Sequence, residues 1–223
     1  MSVKKKIPAS DLICMDDFAD KYNYIVELDY AHDRNYLFNE RIYRKDAQLW
    51  LYKDLAEIVF MAAQQCYQTH DYKFVLYDGL RTCDAQEAMM HTKRVKENLH
   101  WLEEPRLLSP PGSGGHPRAM AIDIGLEDKN GELLDMGCVF DYLAESPYPE
   151  HNLAHREYVH SPEIMANRKI LNDCMEDAAE NLAIPLLPLP QEWWDFRMPV
   201  EVYGEYLPVH EGNLPQAMRL LDI

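Results

Sequence analysis

The sequence predicts a single α+β domain, and three observations carry that expectation. Apolar residues at three- and four-residue steps mark helices. Short apolar runs closed by turn residues mark strands between them. The two kinds of segment mix without a βαβ repeat, and no linker or internal repeat divides the 223 residues. At 47% hydrophobic residues, the chain can bury a sizeable core.

Taken in order, residues 1–45 are rich in Asp, Tyr and Asn and lack a clean period, which reads as irregular structure with short strands. Their tyrosines (Tyr22, Tyr24, Tyr30, Tyr36, Tyr43) fit a pocket wall and a partly buried core equally well. From Asp46, a plausible cap, Leu51, Leu55, Ile58, Val59, Ala62, Ala63 and Cys66 form one helical stripe. FVLYDG (Phe74–Gly79) reads as a strand entering a turn. A helix from Asp84 to about Leu99 follows, started by Thr82 or Asp84. Residues 105–118, PRLLSPPGSGGHPR, concentrate Pro, Gly and Ser and read as a loop. AMAIDIGL (Ala119–Leu126) alternates as a strand that puts Asp123 on the face opposite Ile122 and Ile124. The Asn130-Gly131 turn suggests a hairpin partner after it. Ser161-Pro162 opens a helix running to about Leu182, and EWWDFRM (Glu192–Met198) reads as a final core strand.

Composition narrows the function. With 22 basic and 38 acidic side chains, the formal charge is −16, which argues against nucleic acid or an anionic membrane surface as the partner. No apolar run reaches the length of a membrane span, and the three lysines near the start precede no apolar signal core. The five cysteines are scattered without a CxxC pair, as expected for buried thiols in a reducing, cytoplasmic setting.

Charged residues inside core-like segments mark candidate chemistry, because an unpaired buried charge is costly. Asp78 and Arg81 flank one strand end, Asp123 interrupts another, and Glu192 and Asp195 bracket two tryptophans. His116 lies seven residues before Asp123, across a loop–strand entry from which both can reach one cation. A solvent-facing loop histidine is the plain alternative. A third ligand must come from elsewhere, with EWWDF the best donor, although i and i+3 on a regular strand face opposite sides. The tryptophans also suit a core or pocket wall. His151 and His155 form one i,i+4 pair without an HExxH motif, so residues 151–160 read as an exposed connector. His70, His91, His100 and His210 read as surface residues.

GGHPRAMAIDIG resembles the SxHxxGxAxD signature of the zinc D,D-peptidases, and EWWDF resembles their EWWHF. The order YDGLR, H-x6-D, DMGCVFD (Asp135–Asp141), Asn167-Arg168 and EWW is similar to that of the D-alanyl-D-alanine dipeptidases, over roughly residues 25–200. The resemblance implies a small central, mostly antiparallel sheet flanked by helices. It implies hydrolysis of D-alanyl-D-alanine or a similar short D,D-dipeptide by metal-activated water, with one Zn²⁺ per chain. His116 and Asp123 would be zinc ligands, Glu192 the general base, Arg81 the oxyanion stabiliser and Asp141 the holder of the substrate ammonium. Ser113 and Asp78 stand as further substrate-contact candidates; Asp78 equally suits orienting Arg81 or capping a turn.

The chain departs from the pattern at three places. Asp195 stands where the family has its third ligand, a histidine, which makes one His and two Asp the implied set. The extra carboxylate lowers the charge of the ligand shell, so a weaker Lewis acid is expected, with Mn²⁺ or Fe²⁺ open as alternatives to zinc. Histidine at position 195 is then expected to retain or raise zinc affinity. Ala119 replaces the motif's glycine, and Gly114 its serine, with Ser113 one residue earlier. A related carboxypeptidase acting on peptidoglycan peptides and an inactive metal- or dipeptide-binding relative stay open, as does a homo-oligomer.

Overall fold

A computed structural model describes residues 3–103, 107–144, 146 and 148–222. The N-terminal part places β1 (Leu12–Cys14), α1 (Ala19–Tyr22), β2 (Tyr24–Val26) and β3 (Trp50–Tyr52) among short 3₁₀ turns. Helix α2 (Lys53–His70) and β4 (Lys73–Asp78) follow, then α3 (Cys83–Met90), α4 (Lys93–Glu97) and β5 (Ala121–Glu127). Helix α5 (Pro162–Leu182), β6 (Leu187–Pro188), β7 (Asp195–Arg197) and α6 (Val200–Tyr203) complete the order.

One sheet runs β2-β4-β5-β7-β6, parallel only between β2 and β4, while β1 and β3 form a separate antiparallel pair. The mixed α+β class and the mostly antiparallel sheet are as expected. Strand β5 is central and buried on both faces apart from its last residue. Helix α2 buries Leu55, Ile58, Val59, Ala62 and Cys66 and packs against both β4 and α5. Helix α5 begins as its sequence dictates, with the Ser161 hydroxyl accepting from the Ile164 amide and Pro162 at the first helical position.

Three expected elements differ. Helix α2 starts at Lys53 rather than near Asp46, because residues 50–52 are extended and paired with 12–14. The expected 84–99 helix breaks after Met90: the Thr92 hydroxyl donates to Met89 O and accepts from Val95 N, ending one helix and capping the next. The Asn130-Gly131 turn closes only a single bridge, Glu127 to Leu133, rather than a hairpin strand. Residues 107–118 are the expected loop; Pro105 and Arg106 lie outside the described residues.

Among the described residues, no helix is long and apolar enough to cross a membrane. All five cysteines are free thiols.

Candidate active site and metal centre

Register collects the charged residues. In the β4–β5 ladder Leu76 lies opposite Ile124, but Asp78 lies opposite Asp123, so Tyr77 is the extra residue of a bulge. On the other side Asp123 lies opposite Asp195. Gly125 accommodates the bulge, since a Cβ there would meet the Tyr77 hydroxyl at 2.5 Å. Three buried aspartates thus form a row across three strands. Like charges placed directly opposite repel, so the row requires cations.

Arg81 supplies one. Its Nε and Nη2 lie 2.8 and 2.7 Å from Asp78 Oδ2, its Nη2 lies 3.5 Å from Asp123 Oδ2, and its guanidinium sits over the Tyr30 ring. Asp78 is fully buried and also accepts from the Tyr43 hydroxyl at 3.0 Å. It therefore holds Arg81 from behind, the orienting role that is one of the readings open for it.

His116 enters on a 3₁₀ turn, His116–Arg118, at the end of the glycine loop. Arg118 stakes that loop by donating to Gly112 O and Gly114 O at 2.9 and 2.8 Å. His116 Nδ1 donates to Gly79 O at 2.8 Å, which leaves Nε2 facing Asp123 Oδ1 at 3.5 Å and Asp195 Oδ2 at 3.3 Å. Burial alone lowers the His116 pKa, but Asp123 and Asp195 override it and lift the imidazole to about 10. A buried histidine with aspartates around it is not the solvent-facing alternative.

Asp195 is the first residue of β7, and Glu192 lies in the turn before it, with the Asp195 amide pointing back to Glu192 O. The strand ends within WWD, so the opposite-face problem does not arise. Burial pushes the Glu192 carboxyl up, and the Asp195 charge adds to it, to about 7. Asp195 is completely buried and paired with Arg197: Nε donates to Oδ1 at 2.7 Å and Nη2 to Oδ2. Burial opposes ionisation, yet Arg197 and His116 hold Asp195 far below the usual carboxylate range. Arg197 escaped the sequence reading, although its i,i+2 spacing from Asp195 on a strand was the available signal.

Asp141 comes from the DMGCVFD loop, which Arg168 of α5 pins by donating to Met136 O, Leu153 O and His155 O. Asn167 adds a bond to Asp135 O. Gly137 there has φ +86° and packs where any Cβ would collide with the His160 ring. Asp141 itself is left-handed, at φ +60°, and accepts from the Tyr30 hydroxyl at 2.6 Å. Burial pushes its carboxyl well above the usual range. Tyr30 and Tyr43 are thus the two N-terminal tyrosines that support the site.

His116, Asp123, Asp141, Glu192, Asp195, Arg81 and Arg197 line one cleft of about 100 Å³, and Ser113 sits exposed at its rim. Trp194 forms part of the wall, buried edge-on against Phe140, with Trp193 behind it. Residues 151–160 are not an exposed connector. His155 is buried, Arg156 donates to Leu189 O and Asp195 O, and His160 bonds Leu153 O, away from the cleft. His70, His91, His100 and His210 are exposed as expected.

The donors fit a divalent cation. Asp123 Oδ1 is buried without a hydrogen-bond partner, an arrangement a cation relieves. One ligating atom each from Asp78, His116 and Asp123 lies within 4.8 Å of the others. His116 Nε2, however, faces away from Asp78, towards Asp123 and Asp195.

A buried imidazole and carboxylates, with a further carboxylate and an arginine in the same cleft, are the parts that a metal-dependent hydrolase uses. The sequence profile of the Peptidase M15 family, described as D-ala-D-ala dipeptidase, matches residues 18–212, and the chain belongs to that metallopeptidase family. It is 28% identical over 179 residues to the D-alanyl-D-alanine dipeptidase of Escherichia coli strain K12, covering 78% of each. The Serratia marcescens L-Ala D-Glu endopeptidase ChiX aligns at 13% identity and a TM-score of 0.38 over 69% of this chain and 84% of that one.

Proposed function

We propose that this chain is a zinc-dependent dipeptidase acting on D-alanyl-D-alanine or a similar short D,D-dipeptide, with Glu192 as general base. One observation carries the reading: His116 Nε2 and the unpartnered Asp123 Oδ1 converge in a cleft that also holds Glu192, Arg81 and Asp141. Family membership and the likeness to the bacterial dipeptidase support the substrate class.

His116, Asp123 and Asp195 would hold the cation, which polarises the scissile carbonyl and acidifies a nearby water. Glu192, raised towards neutrality by its burial, takes the proton from the attacking water and returns it to the leaving amine. Arg81, fixed by Asp78, faces the negative charge that develops on the carbonyl oxygen, a contribution of roughly 2.7–4 kcal/mol for a comparable donor. Asp141 binds the free ammonium of the dipeptide, and that charge offsets the cost of burying the carboxylate. Ser113, exposed at the rim, would contact the other end of the substrate. The oxygen-rich donor set keeps Mn²⁺ and Fe²⁺ among the metals to assay. Five free thiols suit a reducing compartment.

The test is D-alanine release from D-alanyl-D-alanine by the metal-loaded protein and by Glu192→Gln. Turnover that is lost in the variant supports the reading; no turnover by the loaded wild type on any D,D-dipeptide overturns it.

A further inference from the structure

Asp195 stands where the resembled EWWHF motif has a histidine, and in the structure it has a partner. Asp195 and Arg197 share a face of β7 and form a two-point ion pair, Nε to Oδ1 at 2.7 Å and Nη2 to Oδ2. The aspartate is fully buried and the arginine side chain is 17% exposed, so solvent screens the pair weakly. The backbone beneath is also fixed, since Arg156 Nη2 donates to Asp195 O at 2.8 Å and stacks over the Phe196 ring.

We propose that Asp195 and Arg197 together replace one neutral imidazole, with Arg197 a positioning residue that orients the carboxylate and cancels its charge towards a bound divalent cation. This rests on the metal reading above. A carboxylate has about four lone-pair sites and the guanidinium takes two, so Oδ2 keeps a free side towards His116 Nε2, 3.3 Å away. A carboxylate alone would lower the charge of the ligand shell by one unit, and the guanidinium restores it. On this proposal the paired carboxylate leaves the Lewis acidity close to that of an imidazole-ligated site, in place of the weaker one expected from Asp195 by itself. Histidine at 195 does not simply repair the site: it would leave a buried, unpaired guanidinium beside the cation.

Zn²⁺ affinity, measured on the full chain by competition with a chromophoric chelator, tests the proposal. The proteins are wild type, Arg197→Gln, Asp195→His and Asp195→His/Arg197→Gln, each with a melting curve. Gln can offer an amide donor near the Nε position, and it loses the charge together with the second bond, from Nη2 to Oδ2. We expect Arg197→Gln to bind zinc about tenfold tighter than wild type, and Asp195→His about tenfold weaker than the double variant, as a unit charge near the cation dictates. A purely orienting Arg197 would give the opposite sign, because losing an outer partner weakens binding about 10–100-fold. Arg197→Gln binding no tighter than wild type, or Asp195→His matching the double variant, overturns the proposal. If Asp195→His does not fold, the Arg197→Gln comparison decides alone. A wild type that takes up no zinc fails the metal reading itself, whereas zinc-binding wild type with an unchanged Arg197→Gln fails only this proposal.

Discussion

Asp123 lies directly opposite Asp195 across the β5–β7 ladder, and the free edge of the His116 ring faces both carboxylates. Two buried like charges are held as neighbours because cations surround them: Arg81 from the turn after β4, Arg197 from β7, and the imidazole between. Strand register thus sets the row of aspartates, and the loops and turns bring His116, Arg81, Asp141 and Glu192 to it.

Glu192 has the clearest catalytic prediction. Glu192→Gln keeps the shape and the hydrogen-bonding reach but cannot accept a proton, so kcat falls about 10²–10⁴-fold with KM and bound metal little changed. Steady-state kinetics with metal analysis checks this. Because the base must be ionised, kcat/KM in the wild type rises with pH on the acid side and flattens once Glu192 has lost its proton.

Asp141 should separate binding from folding. Asp141→Asn removes a buried charge whose ionisation is opposed by burial, so the melting temperature holds or rises. KM for D-alanyl-D-alanine should increase at least about tenfold, the scale of a lost charge-assisted contact. An N-acetylated dipeptide, which has no ammonium, should show no such difference between wild type and variant.

Ala119 occupies the motif's glycine position at φ +55°, in the left-handed region. An L-residue costs about 1–2 kcal/mol there, against a comparable loss of entropy and buried methyl for glycine. Ala119→Gly should therefore move the melting temperature by only about 3 °C, while the β-branched Ala119→Val lowers it by at least about 6 °C. Scanning calorimetry of the two variants distinguishes them.

How much of this was legible follows from the range of each signal. The glycine loop, the His116–Asp123 spacing and the Ser161 helix entry are local patterns, and each appears where the residues indicate. The helix start at Lys53 was hidden because Leu51 and Tyr52 fit a helical stripe as well as a strand, and only pairing with residues 12–14 decides between them. The Asp78 position was hidden by the bulge at Tyr77, which no periodicity announces. Tyr30 and Tyr43 reach Asp141 and Asp78 from more than thirty residues away, and such contacts leave no trace in spacing.

Asp29 gives a pH prediction outside the cleft. Its Oδ2 is buried without a partner, and burial raises its pKa from 3.8 to about 6. A raised native pKa means that the folded state binds the proton more tightly, so this residue's contribution to stability is full below about pH 4 and is lost as pH rises through 6. Asp29→Asn should raise the melting temperature at pH 7.5 and leave it nearly unchanged at pH 4.5. Equal shifts at both pH values would contradict the assignment.

The most direct measurement is zinc stoichiometry in wild type and Asp123→Ala, read together with D-alanine release from D-alanyl-D-alanine. One zinc per wild-type chain with turnover, and loss of both in a folded Asp123→Ala, is the predicted result. Full zinc retention in Asp123→Ala, or turnover by metal-free wild type, would contradict it.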